Sequence, residues 1–492
     1  MTGATLITRR SAIELGFGAA AGTLMRKPSL FLEGVFDSVV ADDEQGRMQW
    51  WEDARFGLFL HWGLYSVAAG EWQGRPAKGA EHFMLYERIP LKEYALFAKG
   101  LNLKDYDPDR WVALATQAGM KYLVITAKHH EGFAMYDSPS SSYNIVKQSP
   151  YGKDPMRPLA AACKKYGMKL CFYYSLGRDW EDPDVPTNWP TKGGRSNTWD
   201  YPDEDSKVFS KYFQRKVIPQ VRELLTQYGP VGVMWFDTPE LISLDESIQL
   251  KAMIRELQPV CIVDDRIGNK QGDFITAEQH LDTKTPLGPW ESCITMSKNW
   301  GYNKFDHAYK TPEVLVRDLI EVVSAGGNLL LDTGPTAQGT FTAPAIANLE
   351  AIGRWMAVNS DGIYGTKAWL VHGEGAGVPA SVAKPQPTID SKAVGIVGKD
   401  ATNDATANTT VPDIRFTTKG DAIYVFARSW HDPQVVVTSF AKQGLVVEDI
   451  AMLGSKVALK WRQDKEKLVI DMPHVTTEEV PIYTFRVHTK KV

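Results

Sequence analysis

The chain is poor in cysteine, has no excess of either charge and lacks any long apolar run, and each shortage removes a class of function. Its four cysteines, Cys163, Cys171, Cys261 and Cys293, are scattered through 492 residues without a CxxC pair. Neither a disulfide framework nor a cysteine-based zinc or redox site is therefore expected, and the four read as buried thiols. A net charge of -4 gives no attraction for nucleic acid or an anionic membrane surface. No segment beyond the N-terminal region has the uninterrupted apolar length of a membrane helix. No G-x-G-x-x-G follows the first candidate strand, which weighs against a dinucleotide site, and no internal repeat is visible. What the chain does have is 15 tryptophans and 19 tyrosines, rings able to pack a large core or to form platforms for sugars.

At the N-terminus, TRRSAIELGFGAAAGTLM sets Arg9 and Arg10 before a short Gly/Ala-rich apolar run. This is the pattern of a bacterial twin-arginine export signal, with Ala12 and Glu14 as departures, and it predicts a periplasmic or extracellular protein. Cleavage is expected after the Ala19–Ala21 run or after Ala41, so residues 1–42 are set aside as a signal region.

From about residue 43 to 365, short apolar or β-branched runs (FGLFLHWG, KYLVITAKHH, KLCFYYSLG, VGVMWFD, VCIVDDR, GGNLLLDTGP) alternate with stretches of helical period. In the longest stretch, Phe209, Phe213, Val217, Val221 and Leu224 form one apolar stripe, and Pro219 is expected to kink it. Strands alternating with amphipathic helices imply a parallel sheet, and this number of units predicts an α/β fold of the (β/α)8-like barrel type, with an open doubly wound sheet as the second possibility. Residues 366–492 contain a linker-like stretch rich in Ala, Thr, Pro and Asp (about 374–412), then strand-like runs without helices, which predict a C-terminal β-sandwich.

Functional side chains of such a barrel gather where strands end. The predicted ends carry His61 and Trp62, His129 and His130, Tyr173 and Tyr174, Trp235 and Asp237, and Arg266. Adjacent histidines raise the possibility of a metal, but the first strand ends in His-Trp-Gly rather than an HxH pair, and no ligand set is expected. Histidines beside aromatic faces suit recognition of sugar hydroxyls instead.

The segments RFGLFLHWGLYSVAAGEW, ITAKHHEGFAMYDS, FYYSLGRDW, MWFD and GGNLLLDTGPTAQG, in this order and spacing, resemble the α-L-fucosidases of glycoside hydrolase family 29 over roughly residues 46 to 365. The resemblance implies a retaining exo-glycosidase that hydrolyses terminal α-L-fucosyl linkages of oligosaccharides or glycoconjugates, with a barrel followed by a β-sandwich and no cofactor. A non-catalytic carbohydrate-binding protein and a retaining hydrolase for a related sugar are the alternatives. Asp237 matches the family's nucleophile, while His61, His129, His130, Tyr174, Trp235 and Arg266 match its fucose pocket, Tyr173 being adjacent to the tyrosine position. The family's Glu-Trp pair has two matches here, Glu71-Trp72 and Glu81-His82. Asp332 stands where asparagine is common. A retaining enzyme needs a second carboxyl group about 5 to 5.5 Å from the nucleophile to act as acid and base. Glu278 and Glu291 both qualify, and Glu278 is preferred because it follows Arg266 by twelve residues, near the next strand end.

Overall fold

The computed structural model describes residues 46–186, 196–281, 288–375, 413–428, 433–473 and 480–491. Residues 1–42, where an export signal is expected, and nearly all of the linker-like stretch lie outside the described residues.

Eight strands form the first sheet: β1 (Phe56–Leu60), β2 (Tyr122–Lys128), β3 (Lys169–Ser175), β4 (Val233–Asp237), β5 (Ile262–Val263), β6 (Ile275–Glu278), β7 (Trp290–Thr295) and β8 (Asn328–Thr333). Their order is β5-β4-β3-β2-β1-β8-β7-β6, and every pairing is parallel. The two edge strands meet at a parallel bridge between Asp264 and Phe274, so the sheet curls back on itself as a TIM-like barrel.

The alternation of side chains along each strand separates two apolar layers. Phe59, Val124, Tyr173, Val233, Trp235 and Leu330 fill the interior with Trp51 and Phe274. Leu58, Leu60, Ile125, Phe172, Tyr174, Met234 and Phe236 face outward into the layer shared with the helices. Those helices include α1 (Pro108–Gln117), α2 (Met156–Tyr166), α3 (Ile218–Gln227), α4 (Leu244–Leu257), α5 (Pro312–Ser324) and α6 (Ala343–Asn359). Several begin on sequence-encoded caps: the Asp107 side chain accepts from Arg110 N, and Ser243 forms a reciprocal capping box with Glu246, each satisfying orphan N–H groups of the first turn. Ahead of α3, Phe213–Val217 widens into a π-type turn. It lies just before Pro219, which cannot donate to the ladder and crowds the carbonyl one turn earlier.

The C-terminal strands are β9 (Lys367–Gly375), β10 (Asp413–Lys419), β11 (Ala422–Arg428), β12 (Gln434–Val437), β13 (Leu445–Met452), β14 (Trp461–Gln463), β15 (Leu468–Asp471) and β16 (Ile482–Lys491). They form a five-stranded sheet, β9-β10-β11-β16-β13, and a three-stranded sheet, β12-β15-β14, antiparallel throughout. Phe416, Val425, Ile470 and Phe485 of the two sheets share one core with Phe440, which sits on a four-residue helix, Ser439–Lys442, that the expectation of a helix-free C-terminal region missed because it is a single turn. A buried charge cluster ties this body to α5: Glu321 accepts from Arg415 Nε (2.8 Å), Arg428 Nη1 (2.8 Å) and His372 Nε2 (2.9 Å), and Arg428 also holds Asp413.

Candidate active site

The site stands at the C-terminal ends of the barrel strands, where the polypeptide leaves the sheet and side chains can converge without interrupting the ladder. Asp237 closes β4 on the interior side. Thr238 follows with a φ of 60°, a left-handed conformation that is costly for a β-branched residue. It is held there by a network: Thr238 N donates to Asp237 Oδ1 (2.8 Å), and Gly177 N donates to Thr238 Oγ1 (3.3 Å). Gly177 must lack a side chain, because a Cβ there would lie 2.0 Å from the Thr238 carbonyl oxygen.

Three further groups address the Asp237 carboxylate. Arg266 Nη1 donates to Oδ1 (2.8 Å), the Tyr173 hydroxyl donates to Oδ2 (2.7 Å), and His130 Nε2 lies 3.6 Å from Oδ2. Burial alone would push this carboxyl up, but Arg266, Arg178 and the Tyr173 hydroxyl outweigh it, so the group is held below the usual aspartate value and stays ionised at neutral pH. Arg266 comes from the tight turn Asp265–Ile267 after β5. Its guanidinium sits 5.0 Å from the Trp235 ring centre and extends its other arm, Nη2, to Glu278 Oε2 (2.7 Å) at the end of β6. One arginine, from the turn after β5, thus bridges the carboxylates that end the strands on either side of it, β4 and β6.

Four histidines complete the wall. His129 stacks on Tyr173 (ring centres 5.3 Å apart) and His130 donates from Nδ1 to Ser175 Oγ (2.6 Å). His61 meets Asp332 through Nδ1 at 2.7 Å and packs beside Trp300. His82 pairs with Glu81 through Nδ1 at 2.9 Å, and its ring lies 5.1 Å from that of His130. Burial and the neighbouring cations keep His130 well below the ordinary histidine value, while burial and His82 bring His129 down to about 3. Both are neutral imidazoles suited to hydroxyl groups. Among the described residues no group of three or more His, Cys, Asp or Glu side chains has metal-binding geometry.

The structure brings Asp237, Arg266, Glu278, His61, His129, His130, Trp235 and the Glu81-His82 pair together, and it relocates the remaining candidates. Tyr174 is turned outward, its hydroxyl on Gln220 Oε1 (2.8 Å) in the layer beneath α3. Odd and even positions of β3 face opposite ways, so Tyr173, not Tyr174, reaches the site. Glu71 and Trp72 form one arm of a small hairpin with Arg75 and Pro76. Glu71 pairs with Lys304, and Trp72 packs on Phe83 and Phe97, so of the two matches it is Glu81-His82 that stands beside the histidines. Glu291 is enclosed inside the barrel, accepting from Tyr122 (2.5 Å) and Trp235 Nε1 (2.9 Å). It lies near the start of β7, paired with Thr276 two residues before Glu278, and is fully enclosed by protein. Arg178, Trp180 and Trp300 also join the site and were not singled out from sequence. Arg178 and Trp180 lie in the quoted FYYSLGRDW segment, whereas Trp300 sits in a loop without periodicity to mark it.

Residues 35–361 match the family model described as alpha-L-fucosidase, and residues 406–488 match the alpha-L-fucosidase C-terminal domain. The tissue alpha-L-fucosidase of Rattus norvegicus is 28% identical over 466 residues, covering 89% of this chain and 89% of that protein. An alpha-L-fucosidase of Dictyostelium discoideum is 30% identical over 348 residues, covering 65% of this chain and 72% of that protein. Among solved structures, alpha-L-fucosidase isoenzyme 1 from Paenibacillus thiaminolyticus superposes with a TM-score of 0.74 at 29% identity, covering 91% of this chain and all of that one (100%). AlfC from Lactobacillus casei, in complex with α-L-fucose, gives a TM-score of 0.60 at 37% identity over 63% of this chain and 98% of that one. The chain belongs to the α-L-fucosidase family, glycoside hydrolases that release terminal α-L-fucose with retention of configuration.

Proposed function

We propose that Asp237 is the nucleophile of this α-L-fucosidase and Glu278 its acid/base. The observation that carries the assignment is the Arg266 bridge: its two arms hold Asp237 and Glu278 at the same rim. In a retaining mechanism the nucleophile attacks the anomeric carbon while the second carboxyl group protonates the departing oxygen, then deprotonates the water that releases the sugar. Asp237 suits the first role because Arg266 and Tyr173 keep it ionised. Glu278 suits the second because its side chain is 29% exposed, the opening that a leaving group and a water need. Glu291 lacks such access. His61, His82, His129 and His130 then receive the sugar hydroxyls, and Tyr173, Trp235 and Trp300 supply apolar ring surface.

Replacement of each glutamate by alanine tests the choice. Loss of the acid/base hurts substrates with poor leaving groups far more than activated aryl fucosides. Azide, which needs no general base, then restores turnover and yields the α-fucosyl azide, whereas azide with Asp237→Gly yields the β product. Leaving-group dependence and azide rescue in Glu291→Ala but not in Glu278→Ala would reverse the assignment.

The natural substrates are read as α-L-fucosylated oligosaccharides or glycoconjugates. A variant of AlfC binds Fucα(1,6)GlcNAc, and turnover of a panel of defined fucosyl linkages reports which of them this enzyme accepts. Export by the twin-arginine route is the reading of the N-terminal Arg9-Arg10 pair. Replacing both by lysine should retain the precursor in the cytoplasm, and undiminished export would refute it.

A further inference from the structure

Asp332 is fully buried on β8, opposite Phe59 of β1. Its Oδ1 lies 2.7 Å from Nδ1 of His61, two residues beyond Phe59. Its other oxygen, Oδ2, has no hydrogen-bond partner among the described residues. This carboxyl group makes no contact with Asp237, Arg266 or Glu278 in the structure, so the mechanism above does not use it. Among the described residues its one side-chain hydrogen-bond partner is an imidazole of the pocket wall.

That contact determines where the imidazole carries its proton. A neutral histidine has one N–H and one bare nitrogen. With an ionised carboxylate 2.7 Å from Nδ1, a bare Nδ1 would set two lone pairs against each other, so Nδ1 carries the hydrogen and Nε2 keeps its lone pair. The same accounting applies along the wall. Ser175 Oγ donates its only hydrogen to the Arg178 carbonyl (2.8 Å) and must therefore accept from His130 Nδ1. Glu81 faces His82 Nδ1 at 2.9 Å. Three of the four imidazoles are thus fastened through Nδ1.

We propose that Asp332 is a positioning residue that holds His61 with its proton on Nδ1, so that Nε2 accepts a hydrogen bond from a hydroxyl of bound fucose rather than donating one. This rests on the placement of His61 in the fucose pocket. The rings around His61 are Phe59, His129, Tyr173 and Trp300, and Glu81 is the further charge that acts on Asp332. Burial raises the Asp332 carboxyl to about 7 against the stabilising pull of His61. The state described is therefore the one present at mildly alkaline pH, and that is where it is measured.

The test uses the full-length enzyme with ¹⁵N-labelled histidine, whose bare and protonated ring nitrogens resonate far apart. The His61 signals are identified by their loss in His61→Asn. In the wild type at mildly alkaline pH, His61 should show a protonated Nδ1 and a bare Nε2. Asp332→Asn, whose amide oxygen still accepts from Nδ1, should keep that pattern and bind L-fucose within about threefold of wild type. Asp332→Leu, which cannot accept, should shift the proton toward Nε2 and weaken competitive inhibition by L-fucose about tenfold or more. A protonated Nε2 in the wild type overturns the proposal whether or not the leucine variant folds, as does an unchanged pattern in that variant. A shifted proton with unaltered fucose inhibition overturns instead the placement of His61 in the fucose pocket, and with it the hydrogen bond to fucose.

Discussion

Two clusters in this enzyme are built from the same parts and do opposite things. At the barrel rim, Arg266 spans Asp237 and Glu278; between α5 and the sandwich, Arg428 spans Glu321 and Asp413. The difference is what surrounds them. The carboxylates of the inner cluster are 6% and 3% exposed, those of the rim 16% and 29%. Around Glu321, Arg415 and His372 bind the remaining lone pairs, and burial is outweighed so fully that its carboxyl lies far below the ordinary range. Such a cluster can only hold two bodies together. At the rim one face of each carboxylate is left for a ligand, so the arginine controls charge while the oxygens remain available for chemistry.

The contrast breaks most sharply at Asp237. Asp237→Ala should lower kcat on an aryl α-L-fucoside by at least about a thousandfold, roughly 4 kcal/mol of barrier, while circular dichroism shows the fold intact. Activity within about tenfold of wild type would mean the covalent step runs elsewhere. The inner cluster should give the inverse result. Arg428→Met leaves Glu321 and Asp413 short of a buried partner and should cost about 3 to 5 kcal/mol in urea unfolding, with kcat/KM of the folded fraction little altered. If both variants lost activity and stability alike, the two clusters would not be functionally distinct.

Glu291 sharpens the comparison, being a buried carboxyl with hydrogen-bond donors but no cation. Burial raises it to about 7 against the opposing hydrogen bonds of Tyr122 and Trp235, from an ordinary value of 4.5. Between those values the folded chain holds a proton that the unfolded chain has released. Stability contributed by this group is therefore full below about pH 4.5 and declines as pH rises to about 7, by up to about 3 kcal/mol. In Glu291→Gln the decline should flatten, as read from unfolding curves at several pH values, and an unchanged slope would show that this group is not its source. The smallest effect is expected at Glu71, whose pair with Lys304 is exposed on both sides. Glu71→Ala should change stability by less than about 1 kcal/mol and kcat/KM by no more than a few-fold, whereas Glu81→Ala should weaken fucose inhibition strongly. Equal losses in the two variants would return Glu71 to the site.

Much of this arrangement was legible in the chain because strand periodicity carries it. VGVMWFD puts Trp235 and Asp237 on one face, and the structure places both on the interior side. The strand-end histidines and Arg266 follow from the same logic, since a barrel gathers the residues that leave its strands. Where the reading stayed open, the chain offered two chemically equal choices. Tyr173 and Tyr174 are adjacent, and choosing between them requires knowing which face of β3 is the interior, a matter of pairing with β2 and β4. Glu71 and Glu81 lie in a segment without periodicity.

By itself the sequence determined the alternation of strands and helices, the predominantly β C-terminal body and the chemical types gathered at the strand ends, because these rest on local period and composition. Only the tertiary structure decided depth. Glu278 and Glu291 are thirteen positions apart on neighbouring strands, yet one ends β6 beside Arg266 and the other lies near the start of β7 against Tyr122 and Trp235. The physical reason is the stagger of parallel strands around a closed sheet: how far along its strand a carboxylate sits decides whether it meets water and substrate or only protein, and that offset is a property of the assembled ring.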